Sequence, residues 1–179
     1  SFGVFRSNGD RVCGSQQLEG SYNVASRNWF QLAVETRAFA VGRYQIGKVT
    51  GRPSLGLAKP LIDRSGTSQG VVYTALNLKL VEERAAANLL PVGASFLLVD
   101  RAGTVLSAVP QAGSDTPGAG ASIVQSELFA AMKSGRTGSS QELRGIDGRP
   151  LLFFFFNLGL AADASIYAAI GLPLEAGRT

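Results

Sequence analysis

Histidine is absent from the 179 residues, and cysteine occurs once, as Cys13. The first absence removes Ser-His and Cys-His catalysis, and with them the commonest zinc ligand. The second removes any internal disulfide or thiolate metal cluster. Cys13 itself reads as a small buried strand residue. Charge is sparse: 17% of residues are charged against 45% hydrophobic, which disfavours disorder and permits an ordinary packed core. Long apolar runs are missing too. The most apolar segment, Leu151 to Phe156, is strand length, far short of the roughly 20 residues that span a bilayer. Ser1 to Cys13 interleaves polar and apolar residues and does not read as a signal peptide.

No nucleophile-elbow or Walker-type motif occurs, and the thirteen acids form no recognisable catalytic pair. The Gly-rich stretch GSDTPGAGAS (113–122) lacks the phosphate-loop lysine and suits a surface loop better. An enzyme is therefore disfavoured. A cytoplasmic PAS domain holding haem or flavin meets the same objections, since it lacks histidine and its one thiol is expected to be buried, so no cofactor is expected. The net charge of +4 is small and dispersed, with no aromatic-rich RNA-binding signature, so nucleic acid is not an expected partner.

What is present is glycine, 22 residues scattered between short apolar runs, and an internal repeat. VVYTALNL (71–78) aligns with SIYAAIGL (165–172) at an offset of 94, pairing Tyr73 with Tyr167. VFRSNGDRVCGS (4–15) aligns with LVDRAGTVLSAV (98–109) at the same offset, each broken by a turn glycine, Gly9 or Gly103. TGRPSLGLA (50–58) echoes DGRPLLFFF (147–155) at 97. Each half opens with a hairpin (2–14; 95–108), continues with a short helix and ends in three strands. Ser26 is expected to cap the first helix, to about Thr36, and Ser126 the second, to about Ser134. Strands are expected at 41–49, 53–62 and 69–77, then 139–146, 150–157 and 164–172. Asn77 would cap a helix from Leu78 to Leu90 that joins the halves. The fold class is α+β: two tandem modules, each a mainly antiparallel five-stranded sheet with flanking helices.

Residues 25–83 (ASRNWFQLAVETRAFAVGRYQIGKVTGRPSLGLAKPLIDRSGTSQGVVYTALNLKLVEE) resemble the membrane-distal module of double Cache domains. The likeness runs in order through an Arg-x-aromatic-Phe helix, a Tyr-bearing strand, a Gly-x-Pro turn, a Pro-x-x-Asp-x-x-Gly hairpin and a Gly-Val-Val strand. FLLVDRAGTVLSAVP (96–110) resembles the opening strand pair of the membrane-proximal module. The resemblance implies PAS-like modules at 1–78 and 93–175, with 79–92 as connecting helix and linker. It also implies a periplasmic or extracellular sensor domain of a membrane-anchored histidine kinase, diguanylate cyclase or chemoreceptor, with a homodimer compatible with it. The family's long leading helix is not in the sequence, so a truncated piece is expected. A ligand-free structural or dimerisation module is the alternative reading.

The family's ligand site lies in the distal module. By position, Arg27, Trp29, Phe30, Tyr44 and Tyr73 are the ligand-binding candidates, with Arg27 placed to hold a carboxylate and the aromatics to wall the pocket. Strand alternation puts Arg43 on the opposite sheet face from Tyr44 unless the strand is bulged. Tyr167, in the proximal module, reads as structural. Between Gly20 and Ile62 lie six basic residues and one acid, Glu35, which favours an anionic ligand such as an organic acid. The family's amino-acid binders carry an Asp where this chain has Ala75, and often an acid where it has Leu32. A bound ammonium group would find no partner there.

Overall fold

The computed structural model describes residues 1–17, 20–88, 90–110, 117–161 and 164–174. The chain divides into two units, Ser1–Asn77 and Leu78–Thr179. Within the first, β1 (Phe2–Arg6) and β2 (Arg11–Gly14) form a hairpin; α1 (Asn28–Thr36) follows, then β3 (Ala40–Ile46), β4 (Pro53–Ile62) and β5 (Ser68–Asn77). The second unit begins with α2 (Leu78–Asn88), which packs on the second strand of its own hairpin. It continues with β6 (Ser95–Asp100), β7 (Val105–Val109), α3 (Glu127–Ser134), β8 (Ser140–Arg144), β9 (Pro150–Ala161) and β10 (Ala164–Pro173). Both sheets are antiparallel with the same strand order, β2-β1-β5-β4-β3 and β7-β6-β10-β9-β8. The fold is therefore α+β, one five-stranded plan used twice. Among the described residues no helix is long and apolar enough to cross a membrane.

Alternation fixes which face each sheet buries. In the first unit Phe5, Ala40, Ala58 and Val71 pack against Trp29, Phe30 and Ala33 of α1. In the second, Val99, Val105, Phe153, Phe155 and Ala169 pack against Leu128, Phe129 and Met132 of α3. Tyr167 lies in this core, edge-on to Phe129 at 6.2 Å between ring centroids, so its role is packing.

The repeat reaches down to single hydrogen bonds. Gly9 (φ +87°) and Gly103 (φ +81°) close the two leading hairpins. The chain entering each helix folds back over that glycine, with Val24 N–H donating to the Gly9 carbonyl at 2.9 Å and Ile123 N–H to the Gly103 carbonyl at 2.8 Å. The DRSG hairpin between β4 and β5 is held by Asp63, whose carboxylate accepts from the Ser65 hydroxyl and from the backbone of Ser65 and Thr67. Those bonds, the Ser65 hydroxyl first, hold its pKa down at about 2.

Helix capping differs between the units. Ser126 accepts from Phe129 N–H at 3.1 Å, as the sequence suggests. The first helix departs from expectation: its N-cap is Arg27, not Ser26, and no side chain caps it. Ser26 is taken up in the turn that Arg27 N–H closes on the Val24 carbonyl. Ser126→Ala is expected to cost about 1 kcal/mol, lowering the second unit's midpoint by about 4–8 °C in a far-ultraviolet circular dichroism melt. An unchanged midpoint would show that the cap contributes nothing.

Three further expectations are corrected. Cys13 is exposed: β2 is an edge strand, and Cys13 pairs with Val4, on the sheet face away from Phe5. The pairing of Tyr73 with Tyr167 slips by two residues. Gly3 faces Tyr73 in one sheet, and Leu97 faces Ala169 in the other, so Ala169 is the counterpart of Tyr73 and Tyr167 that of Val71. The connecting helix ends at Asn88, and Leu89 lies outside the described residues, as does 113–116 of the Gly-rich loop.

Candidate functional site

A half-open cleft of about 70 Å³ lies in the first unit, between the start of α1, the β1–β2 hairpin and the turn joining β3 to β4. Trp29 forms its floor. The indole stacks on Tyr73 with ring centroids 4.0 Å apart and touches Phe5 and Phe30 at 5.6 and 6.0 Å. Two glycines make room for it. A Cβ at Gly42 would lie 2.7 Å from Trp29 Cβ, and one at Gly56 2.6 Å from Trp29 Cδ1.

Arg27 reaches the cleft from the N-cap position. Its Nη1 donates to Gln45 Oε1 at 3.5 Å, and Gln45 Nε2 donates to the Tyr73 hydroxyl at 3.4 Å. Both bonds are at the outer limit of hydrogen-bond length, so an anion could compete for the guanidinium at little cost. Burial, and then the neighbouring Tyr22, push the Tyr73 pKa up, so its hydroxyl keeps its proton at neutral pH. Arg11 lies along β2 over Gly14, with Nη2 donating to the Gln16 carbonyl. Lys48 completes the set from the β3–β4 turn. The cleft lining thus holds three cationic side chains, and no carboxylate among the described residues.

Of the sequence-derived candidates, Arg27, Trp29 and Tyr73 meet in this cleft, and Ala75 lines it as well. Phe30 is buried in the core beneath. Tyr44 stands outside. Between Val41 and Tyr44 the β3 strand carries a bulge: Val41 faces Leu57, but Tyr44 already faces Leu55. The extra residue reverses the alternation beyond it, turning Tyr44 to the far face and Gln45 toward the cleft. Asn28 stabilises the distortion by accepting from Arg43 N–H at 3.1 Å. Gly42 was the available signal, since glycine inside a strand often marks a bulge. Arg11, Tyr22 and Ser54, which the sequence did not single out, also line the cleft: Arg11 and Ser54 through sheet pairing, and Tyr22 from the segment before α1, where its carbonyl accepts from Arg11 N–H at 3.1 Å.

No protein-family model and no curated protein sequence matches the chain. Solved structures do. The extracellular domain assigned to histidine kinase rpHK1S-Z16 aligns with a TM-score of 0.76 at 13% identity, over 98% of this chain and 71% of that one. The ligand-binding domain of the Pseudomonas fluorescens chemoreceptor CtaA, in complex with L-isoleucine, aligns at 0.68 and 18% identity over 98% and 69%. That of the Pseudomonas aeruginosa PAO1 amino acid chemoreceptor PctB, in complex with L-Arg, aligns at 0.71 and 16% over 99% and 73%. This chain has the double Cache fold.

The two Cache units differ where the cleft lies. By strand register and by the matching bonds before each helix, Arg27, Trp29, Gln45, Ser54, Gly56 and Tyr73 correspond to Ser126, Leu128, Leu143, Leu151, Phe153 and Ala169. The polar and small residues of the first unit are mostly replaced by large apolar ones. A cleft of about 30 Å³ remains in the second, lined by Leu97, Leu128, Leu151 and Phe153 among others.

Proposed function

We propose that this chain is an extracytoplasmic small-molecule sensor domain of a bacterial transmembrane signalling protein, and that it binds rather than transforms its ligand. The ligand is a small anion, such as an organic acid, held in the cleft of the first, membrane-distal unit. One observation carries the reading: the same position is wider and cationic in the first unit, and narrower, lined mainly by apolar side chains and without a cation, in the second. A chain that needed two packing modules alone would have no use for that divergence. The double Cache fold, shared with receptor ligand-binding domains, supports the cellular setting.

CtaA and PctB are seen with amino acids, but this cleft has Ala75 in place of an acid and three cations in its lining. An ammonium group there would be unpaired and repelled. Arg27 is the principal ligand-binding residue, with Trp29 and Tyr73 supplying the wall. Ligand binding would then bias the unit toward a closed state, by an amount set by its preference for that state.

A thermal-shift screen over organic acids, amino acids and polyamines tests the reading. Organic acids are expected to raise the midpoint, and polyamines to leave it unchanged. Arg27→Ala is expected to weaken binding of an acid hit by about 10- to 100-fold, the range for losing a charge-assisted hydrogen bond. Undiminished binding would sink the assignment. A screen with no hits would favour the ligand-free dimerisation module.

A further inference from the structure

The turn over the cleft is longer in the first unit. In the second, Gly145 N–H donates to the Arg149 carbonyl at 2.8 Å and Gly148 N–H to the Gly145 carbonyl at 2.9 Å, enclosing Ile146, Asp147 and Gly148. In the first, Gly47 N–H donates to the Arg52 carbonyl at 2.9 Å and Gly51 N–H to the Gly47 carbonyl at 2.8 Å, enclosing Lys48, Val49, Thr50 and Gly51. The turn gains one residue, and Lys48, Val49 and Thr50 all reach the cleft lining. Its charge is also reversed. The second turn carries Asp147, 3.6 Å from Arg149, where the first carries Lys48 and no acid.

Charge counting then argues against a ligand with a single carboxylate. Arg11, Arg27 and Lys48 come from β2, the α1 N-cap and the β3–β4 turn, so they approach the cleft from separate elements. Counting side chains alone, three cations less one carboxylate leave +2 in the lining, and less two leave +1; the Ser1 amino group, where free, adds one to each. A single carboxylate on Arg27 leaves the cation of the lengthened turn without a counterpart. The stacked Trp29 and Tyr73 rings add apolar surface to the same lining.

We infer that the ligand is a short acid with two carboxylates, and that Lys48 is the residue that selects for the second one. This rests on the reading of the cleft as an anion site. Calorimetric titration of the 179-residue chain with succinate and with butyrate, acids of equal carbon number, tests it. Succinate is expected to bind about tenfold tighter. Lys48→Gln should weaken succinate about fivefold, the scale of an exposed ion pair, and leave butyrate within about twofold. Lys48 is exposed, so the variant should melt with the parent in the absence of acid. Equal affinities for the two acids, or a variant that weakens both alike, would overturn the diacid inference and leave the anion reading standing. A succinate preference that survives Lys48→Gln would overturn the assignment to Lys48. If neither acid binds, the anion reading fails and this inference falls with it.

Discussion

Trp29→Ala should cost the first unit about 3–5 kcal/mol, the range for removing a large buried aromatic side chain. Whole domains possess only about 5–15 kcal/mol, so the variant would stand near the edge of folding. The indole is only 3% exposed, and it touches Phe5, Phe30 and Tyr73 at once. Alanine would leave a cavity floored by Gly42 and Gly56, which have no side chains to move into it. A circular dichroism melt should show a transition well below that of the parent. Trp29→Phe keeps an aromatic face against Tyr73 and should recover most of the loss. If the alanine variant melts within about 2 °C of the parent, Trp29 is not the centre of this core.

The second large effect is predicted at the paired turn glycines. Alanine at Gly9 would have to accept a left-handed conformation costing about 1–2 kcal/mol, and its Cβ would lie 2.6 Å from the Ala25 backbone nitrogen. Relieving that contact adds overpacking of about 1–3 kcal/mol. Gly103→Ala meets the Val124 Cα at 2.9 Å and should behave alike in its own unit. The two can be told apart by light. Trp29 is the sole tryptophan, so its emission follows the first unit only. In a urea titration, Gly9→Ala should move the emission midpoint down. Gly103→Ala should lower the circular dichroism signal at concentrations where Trp29 emission is still native. Coincident probes in both variants would mean that the units unfold as one.

Much of the fold was legible because its signals are local. Glycine turns, period-two alternation and the Ser126 cap each need only a few neighbouring residues, and the repeat supplies each twice. The errors arose where the answer depends on pairing. Cys13 is apolar enough to be buried, but strand order puts it at an edge and register turns it outward. The tyrosine match at an offset of 94 looks exact in sequence, yet the sheets place β5 against β10 two residues further on. That even slip keeps every side chain on its face, so no pattern of hydrophobicity could reveal it.

The candidate site was half legible for the same reason. Arg27 and Trp29 share one short segment, and Tyr73 sits on β5, close to the strand expected at 69–77. Arg11, Gln45 and Ser54 come from three different strands and meet them only after the sheet has formed. Phe30 was on the right helix but on the side that packs.

The bulge in β3 lets backbone pairing act where one would expect chemistry to act. Up to Gly42, odd and even positions keep their assigned sides; past Arg43 the assignment is inverted, and Gln45 inherits the place that parity gives Tyr44. Straightening the strand at unchanged length would therefore exchange an amide wall for a phenol wall while every side chain kept its identity, whereas deleting the extra residue would remove the bulge and leave Gln45 facing inward. Divergence of such a site can proceed by gain or loss of a bulge as readily as by substitution, and comparisons that score only residue identity would miss it.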